Sequence, residues 1–324
     1  MRLRRKRSDA RTTLYYASDV HGSDVCWRKY LNAGSFYGAD ALVMGGDLTG
    51  KVVVPITEEE GGVYRARFMG AVQRISDAEE LAELERAIRL NGFYPWVGSA
   101  EAVAECEASA EAQGRLFERV LTHEIDRWVG IADEKLAATS TEAWLIPGND
   151  DPWFIDPPLR DSERLGFCDG EVVSCRGHEM VSLSYSNRTP WDSPRELDED
   201  ELYSTVNALV ERMEDPSRAI FNLHVPPYNS NLDTATELDE TLRPVMQAGQ
   251  PVPKAVGSTA VRQLIEEHQP LLALHGHIHE SRGVVKLGRT TAVNSGSEYN
   301  SGQLHGALIR LGADEVLSAR LVVG

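Results

Sequence analysis

Cysteine is scarce in this chain. Four are spread over 324 residues (Cys26, Cys106, Cys168, Cys175), with no Cys-x-x-Cys pair. That spacing excludes a disulfide framework, and a reduced cytoplasm is the expected setting. Positive charge is also short: 33 Lys+Arg face 50 Asp+Glu, for a net charge of −17. A field of that sign repels a nucleic acid backbone, so non-specific DNA or RNA binding is disfavoured unless basic residues cluster. They cluster once, in Arg2, Arg4, Arg5, Lys6 and Arg7. That run is a nucleic-acid or membrane arm or a solvated basic tail, and the tail over residues 1–12 is the reading adopted. No apolar core follows it, so no signal peptide is expected, and no stretch approaches a membrane-spanning length. Internal repeats and low-complexity segments are absent too. What remains, at 42% hydrophobic and 26% charged residues, is a globular chain long enough for a sizeable core.

Apolar runs over residues 14–18, 41–44, 143–146, 219–223 and 271–274 read as buried strands, with helical patterns between them. Ser23 caps a helix carrying Val25, Trp27, Tyr30 and Leu31 that stops at Gly34. This is an α/β pattern, interrupted at about residues 55–140 by an insertion read as a hairpin plus helices. Its hairpin turns at Gly61 and Gly62, and Ser76 with Glu79 forms a capping box ahead of Leu81, Leu84 and Ile88. From about residue 99 to 138 one long helical region carries Phe117, Leu121, Ile125, Trp128, Ala132 and Leu136, an apolar stripe that predicts core packing. A further hairpin is predicted over 171–175 and 180–185. Residues 225–257, with five prolines, form a long irregular stretch. Two hairpins follow residue 283.

The stretch His275-Gly276-His277-Ile278-His279 ends the last buried run. In extended chain, side chains two apart point the same way, so His277 and His279 would aim together as half a metal site. A histidine-rich surface turn is the alternative. Metal-type residues stand at four other strand ends: Asp19 and His21, Asp47, Asn149, and His224. Ligands bind beyond the carboxyl ends of strands in α/β sheets, so this placement is what one shared site requires. Asp47 or Asn149 taken alone would be ordinary turn residues; the set in this order is not.

In that order (D-x-H, GGD, GN, a lone His, GHxH) the motifs resemble the signature of the calcineurin-like metallophosphoesterases. The stretches GGDLTGK, HGHIHESRG and NSGSEY look most like the bacterial and archaeal Icc-related predicted phosphoesterases. The match covers most of residues 14–300 outside the insertion. The resemblance implies a four-layer α/β/β/α sandwich of two mixed sheets over residues 13–324, with a two-metal centre in its cleft. Asp19, His21, Asp47 and His279 would hold one ion. Asn149, His224 and His277 would hold the other, with Asp47 bridging. The ions implied are divalent (Mn, Fe, Ni, Zn, Co or Mg), and the activity is hydrolysis of a small-molecule phosphate ester by a metal-bridging hydroxide. A nuclease, or a non-catalytic scaffold that retains the fold, is the alternative.

One departure matters. Most of the family has a His after the GN asparagine, where it helps protonate the leaving oxygen; here Asp150 and Asp151 follow Asn149. A carboxylate cannot donate as that imidazole does, and its charge repels a phosphate dianion more than a diester monoanion. Phosphodiesters are therefore the favoured substrates, with Asp47, Asn149 and Asp150 as the catalytic candidates. Asp151 either orients a ligand imidazole or is an exposed turn residue. His275 is read as buried or supporting. His123 and His268 are read as helix residues, and His178 and His305 have no evident partner. The insertion is expected beside or over the cleft mouth, as a lid or a dimer contact.

Overall fold

The computed structural model describes residues 11–324, so the basic run at 2–7 lies outside the described residues. Two six-stranded mixed sheets carry the fold. The first runs Val316–Val323, His305–Leu311, Thr12–Ala17, Ala41–Met44, Glu142–Leu145, Leu165–Phe167. The second runs Gly283–Leu287, Thr290–Asn294, Leu272–His275, Ile220–Leu223, His178–Leu183, Glu171–Cys175. In each, the central strands pair in parallel and antiparallel hairpins close an edge.

The apolar runs explain this layering. Side chains alternate faces along a strand, so a strand apolar throughout must be buried on both sides. Leu14 and Tyr16, with Ala41 and Val43, enter one core between the sheets, where they meet Ile220, Leu272 and Leu274. Their alternates Tyr15, Ala17, Leu42 and Met44 face outward into a second core with Trp27, Tyr30, Leu121, Ile125 and Trp128. On the far side, Phe221, Leu223 and Ala273 meet the helices Glu199–Val210 and Thr259–His268.

Several elements differ from the sequence expectation. The first helix, Asp24–Tyr37, runs past Gly34 and ends at Gly38, whose φ of 63° closes it. Gly34 is there for packing, since a Cβ would sit 3.2 Å from the Thr141 side chain. Asp77, not Ser76, caps the helix Ala78–Leu90. The long helical region is broken at Ser109, which caps Ala110–Leu136 while ending Ala100–Ala108. Short paired strands punctuate the 225–257 stretch, among them Thr234–Thr236 with Pro253–Ala255.

The insertion has the expected helices but more strand than expected. Strands Ala71–Ile75, Val63–Phe68, Val53–Glu59 and Tyr94–Ser99 form a four-stranded sheet in that order, packed on Leu84 and Ile88 of its helix. Pro95 and Gly98 hid its last strand, because both are poor strand residues. The helix Ala110–Leu136 is not peripheral. Trp128 stacks on Trp27 at 5.0 Å between ring centroids, and the Trp27 indole N–H donates to the Trp128 carbonyl at 3.1 Å. This helix is therefore an outer layer beside the helix Asp24–Tyr37, and cutting it away with the rest of the insertion would strip Trp27 of cover. Trp128→Ala should cost about 3–5 kcal/mol of stability in denaturant unfolding. Val72→Ala, on the exposed edge of the insertion sheet, should change it by less than about 0.5 kcal/mol. Equal small losses would mean that the helix is dispensable.

Candidate metal centre

Five loops leave the carboxyl ends of five strands and meet. Asp19, His21, Asp47 and His279 form one group of donors, and Asp47, His224 and His277 a second, with the donor atoms of each within 4.8 Å of one another. Asn149 joins the second group, its Oδ1 lying 3.0 Å from His224 Nε2. All seven residues singled out in the sequence are thus brought together. Asp19, Asp47, Asn149, His21 and His224 are buried.

Asp47 belongs to both groups. Its Oδ2 lies 3.6 Å from His21 Nε2 and 3.4 Å from His224 Nε2. Its Oδ1 accepts the backbone N–H of Asp150 at 3.1 Å. On the other flank, His21 Nε2 and His279 Nε2 face each other at 3.0 Å, with Asp19 Oδ1 3.5 Å from His279 Nε2. Two imidazole nitrogens so directed cannot both be plain acceptors; a cation or a shared proton between them resolves the contact. The mixed N/O donors fit divalent first-row ions.

His277 and His279 do not aim together as expected. His277 has φ of 65°, so the chain turns there instead of staying extended. One ring is delivered to each group: His277 lies 5.3 Å from His224 between ring centroids, and His279 lies 4.9 Å from His21. Asp19, His21 and Asp47 also have positive φ, at 57°, 40° and 50°. Four of the seven donors thus occupy a region that L-residues populate sparsely, though Asp and His enter it more readily than most. Such conformations cost of order 1–3 kcal/mol each and persist where their surroundings fix them. Gly276 is required by close approach, since a Cβ there would lie 2.3 Å from Asp19 Oδ2. Gly148 is required likewise, at 2.1 Å from Asp47 Oδ1.

The supporting residues were mostly unread in the sequence. Asp151 is neither exposed nor bound to an imidazole. It is fully buried, and its carboxylate accepts the N–H groups of Leu48, Thr49 and Gly148 and the Thr49 hydroxyl. It thereby ties the loop after Asp47 to the loop before Asn149. His275 spans the carbonyls of Leu223 and Val225, on either side of His224, and burial pushes its pKa down to about 4. His224 donates its Nδ1–H to the Gly45 carbonyl at 2.8 Å, which presents Nε2 to the centre. Asn294, in the NSGSEY stretch, holds the carbonyls of Gly276 and Ile278. Tyr299 in the same stretch packs its ring on His21, 4.8 Å between centroids. Of the other histidines, His123 is exposed on its helix, and His268 and His178 bond Asn207 and the Arg218 carbonyl.

Asp150 is held from three sides. Its Oδ1 accepts from the Ser193 hydroxyl at 3.0 Å and from Asn149 Nδ2 at 3.4 Å, and its Oδ2 pairs with Lys51 Nζ at 2.6 Å. Ser193 is also an acceptor for Asn149 Nδ2, at 3.1 Å, which leaves Asn149 Oδ1 directed at His224. The loop bearing Ser193 is anchored by Arg195, fully buried and paired with Asp156 and Asp169.

Charge inside the centre is shared among neighbours. Burial pushes the Asp47 carboxyl up, but His224, His21 and His277 outweigh it and hold it well below the usual carboxylate range. Burial likewise opposes protonation of His224, yet Asp47 and Asp19 raise it from 6.5 to about 10. For His277, burial and the neighbouring His224 win, pushing it down to about 4.

Two outcomes follow. Without metal, the His224 proton stabilises the fold fully below its ordinary 6.5 and loses that effect as pH rises through about 10. Asp47 works in the opposite sense, stabilising above the ordinary carboxylate pKa and losing the effect as pH falls. A metal at His224 Nε2 must displace its proton, so loading near neutral pH should release roughly one proton there, with affinity rising with pH. Calorimetry in buffers of different ionisation enthalpy reads this directly; buffer-independent heats would show His224 neutral beforehand. Separately, Asp47→Asn should lose both metals whereas His279→Ala mainly weakens one. Metal analysis of the two variants decides it, and near-full occupancy in Asp47→Asn would remove the two-metal arrangement.

No family model matches the chain. The uncharacterized protein MJ1162 of Methanocaldococcus jannaschii is 32% identical over 165 residues, covering 50% of this chain and 67% of that one. The crystal structure of TT1561 of Thermus thermophilus superposes with a TM-score of 0.55 at 15% identity, over 97% of this chain and 99% of that one. Identity so low speaks for the fold alone. An archaeal phosphodiesterase structure, 9% identical over 96% of this chain and 99% of that one, gives a TM-score of 0.38, too loose a likeness to carry weight. The chain belongs to one family with the Methanocaldococcus protein, and it shares its fold with the Thermus protein.

Proposed function

We propose that this chain hydrolyses a phosphate ester with two divalent ions, on the α/β/β/α sandwich that its two sheets and outer helices support. The observation that carries the proposal is the placement of Asp47 Oδ2 between His21 and His224, 3.6 Å and 3.4 Å away. Asp19, His21, Asp47 and His279 would hold one ion, and Asp47, Asn149, His224 and His277 the other. When bound, such ions lower the pKa of a water to supply a nucleophile near neutral pH and offset charge on the phosphoryl oxygens.

The chain's own residues set the limits of this chemistry. With its oxygens accepting from Ser193 and Lys51, Asp150 is not a leaving-group acid. Its charge is matched by Lys51, so it repels a phosphate dianion less than the sequence implied. Preference then rests more on the leaving group than on the charge of the ester. Aryl esters, whose leaving oxygen needs least protonation, are the favoured class, and among them diesters, whose single negative charge meets less repulsion from Asp150 than a dianion does. A nuclease is disfavoured by the net charge of −17. A scaffold has no need for four donors at positive φ, and this favours the enzyme.

The test is a panel of phosphomonoesters, phosphodiesters and cyclic nucleotides, assayed after loading with Mn, Ni or Mg. Turnover of an activated aryl phosphodiester should exceed that of a simple alkyl phosphomonoester by roughly 10²-fold or more, the scale of a missing general acid. Protein that binds no metal and turns over none of these esters would instead be a scaffold.

A further inference from the structure

The organic part of the ester has no assigned place in the reading above. Beside the centre lies a cavity of about 330 Å³, walled by Val53, Pro55, Trp96, Leu116 and Phe117 and bounded by Lys51. It is made by the insertion: strands Val53–Glu59 and Tyr94–Ser99 form one side, and the helices Ala100–Ala108 and Ala110–Leu136 the other. Two contacts link it to the bridging carboxylate. Lys51 Nζ reaches Asp150 Oδ2 at 2.6 Å, and the Asp150 N–H reaches Asp47 Oδ1 at 3.1 Å. The insertion is seated firmly against this loop, with Tyr94 OH accepting the Gly50 N–H at 2.7 Å and the Tyr94 N–H donating to the Val52 carbonyl at 2.9 Å.

The wall chemistry is specific. Trp96 and Phe117 are only partly buried although both pack at the edge of the main core, so each keeps ring surface uncovered. Gly98 lets the indole lie along its own strand, since a Cβ there would come within 2.7 Å of the Trp96 ring. The volume falls at the lower end of small-molecule sites and is too small for a macromolecule. The one cation of the wall, Lys51, stands on the side of the centre. A phosphate ester could place its phosphoryl oxygens by Lys51 and its substituent against the two rings.

We propose that this cavity receives an aromatic leaving group of the phosphate ester, with Lys51, still paired with Asp150, meeting the phosphoryl oxygens. The inference rests on the phosphoesterase reading and deepens it, because an aryl oxide is also the leaving group that least needs an acid.

The test is calorimetry of Mn-loaded protein with three non-hydrolysable probes: methylphosphonate, hexylphosphonate and phenylphosphonate. Phenylphosphonate should bind roughly 10- to 100-fold tighter than methylphosphonate, the scale of burying one ring. Gln113 and Val103 also line the cavity, the first exposed and the second buried. Gln113→Trp and Val103→Phe should each shrink that ratio several-fold; the exposed position keeps the test alive should the buried variant not fold. Lys51→Met should weaken both probes alike and leave the ratio standing. A phenyl-to-methyl ratio near one, hexylphosphonate binding tighter than phenylphosphonate, or a ratio unmoved by both filling variants would overturn the aromatic pocket while leaving the phosphoesterase reading intact. Metal-loaded protein that binds none of the three would remove both.

Discussion

A carboxylate buried in an apolar fold stays charged only where cations or donors surround it, and Asp47 is such a group. Its two oxygens do different jobs. Oδ1 takes the Asp150 N–H and so locks the loop after Glu142–Leu145 onto the loop after Ala41–Met44. Oδ2 faces two imidazoles, one delivered by each sheet: His21 from the first and His224 from the second. The contact between the sheets at this end is therefore electrostatic, whereas the layer beneath, around Leu14, Tyr16 and Leu274, is apolar. Removing the carboxylate leaves His21 and His224 without their common partner and withdraws one of the anchors of the Asn149 loop.

This arrangement is braced by hydrogen bonds of the chain alone. The donors at positive φ would relax into ordinary turns if the loops were free. Asp151 prevents this by bonding the N–H groups of Leu48 and Thr49, just after Asp47, and of Gly148, just before Asn149, and His275 prevents it by bracing the carbonyls that flank His224. Strain at the donors is thus sustained by buried hydrogen bonds one layer further out. A loosely held set would gain entropy on losing its ligand; this one gains little, which favours tight and geometrically selective binding.

What the sequence revealed follows the range of the forces involved. The strands were legible because burial on both faces leaves continuous apolar runs, and the donors were legible because five such runs end in metal-type residues. The division of His277 and His279 between the two groups was not, because it depends on a left-handed residue that only tertiary contacts impose. Asp151 and Ser193 were unreadable for the same reason: their partners lie more than 40 residues away in sequence, at Leu48 and Asn149. Lys51 lay in plain view within GGDLTGK, but nothing local says that it pairs with Asp150. The insertion misled most. A proline and a glycine masked one of its strands, and the apolar stripe of its last helix was recognised as core packing without showing that the core in question is that of the first sheet.

Charge at two length scales decides what such a centre can select. At physiological ionic strength the field of exposed charges fades over about 8 Å. Under the proposed function a small ester entering the cleft would respond chiefly to Lys51 and to the cations the donors would hold, while a long polyanion would lie against the acidic surface of a chain of net charge −17. With those cations bound, the same protein would be locally attractive and globally repulsive to phosphate. Raising ionic strength weakens the global term first, since the centre is buried and screened less. Discrimination between a single phosphate ester and a nucleic acid strand would then need no steric gate: it would arise because the favourable charges are few, buried and close together, and the unfavourable ones many, exposed and spread.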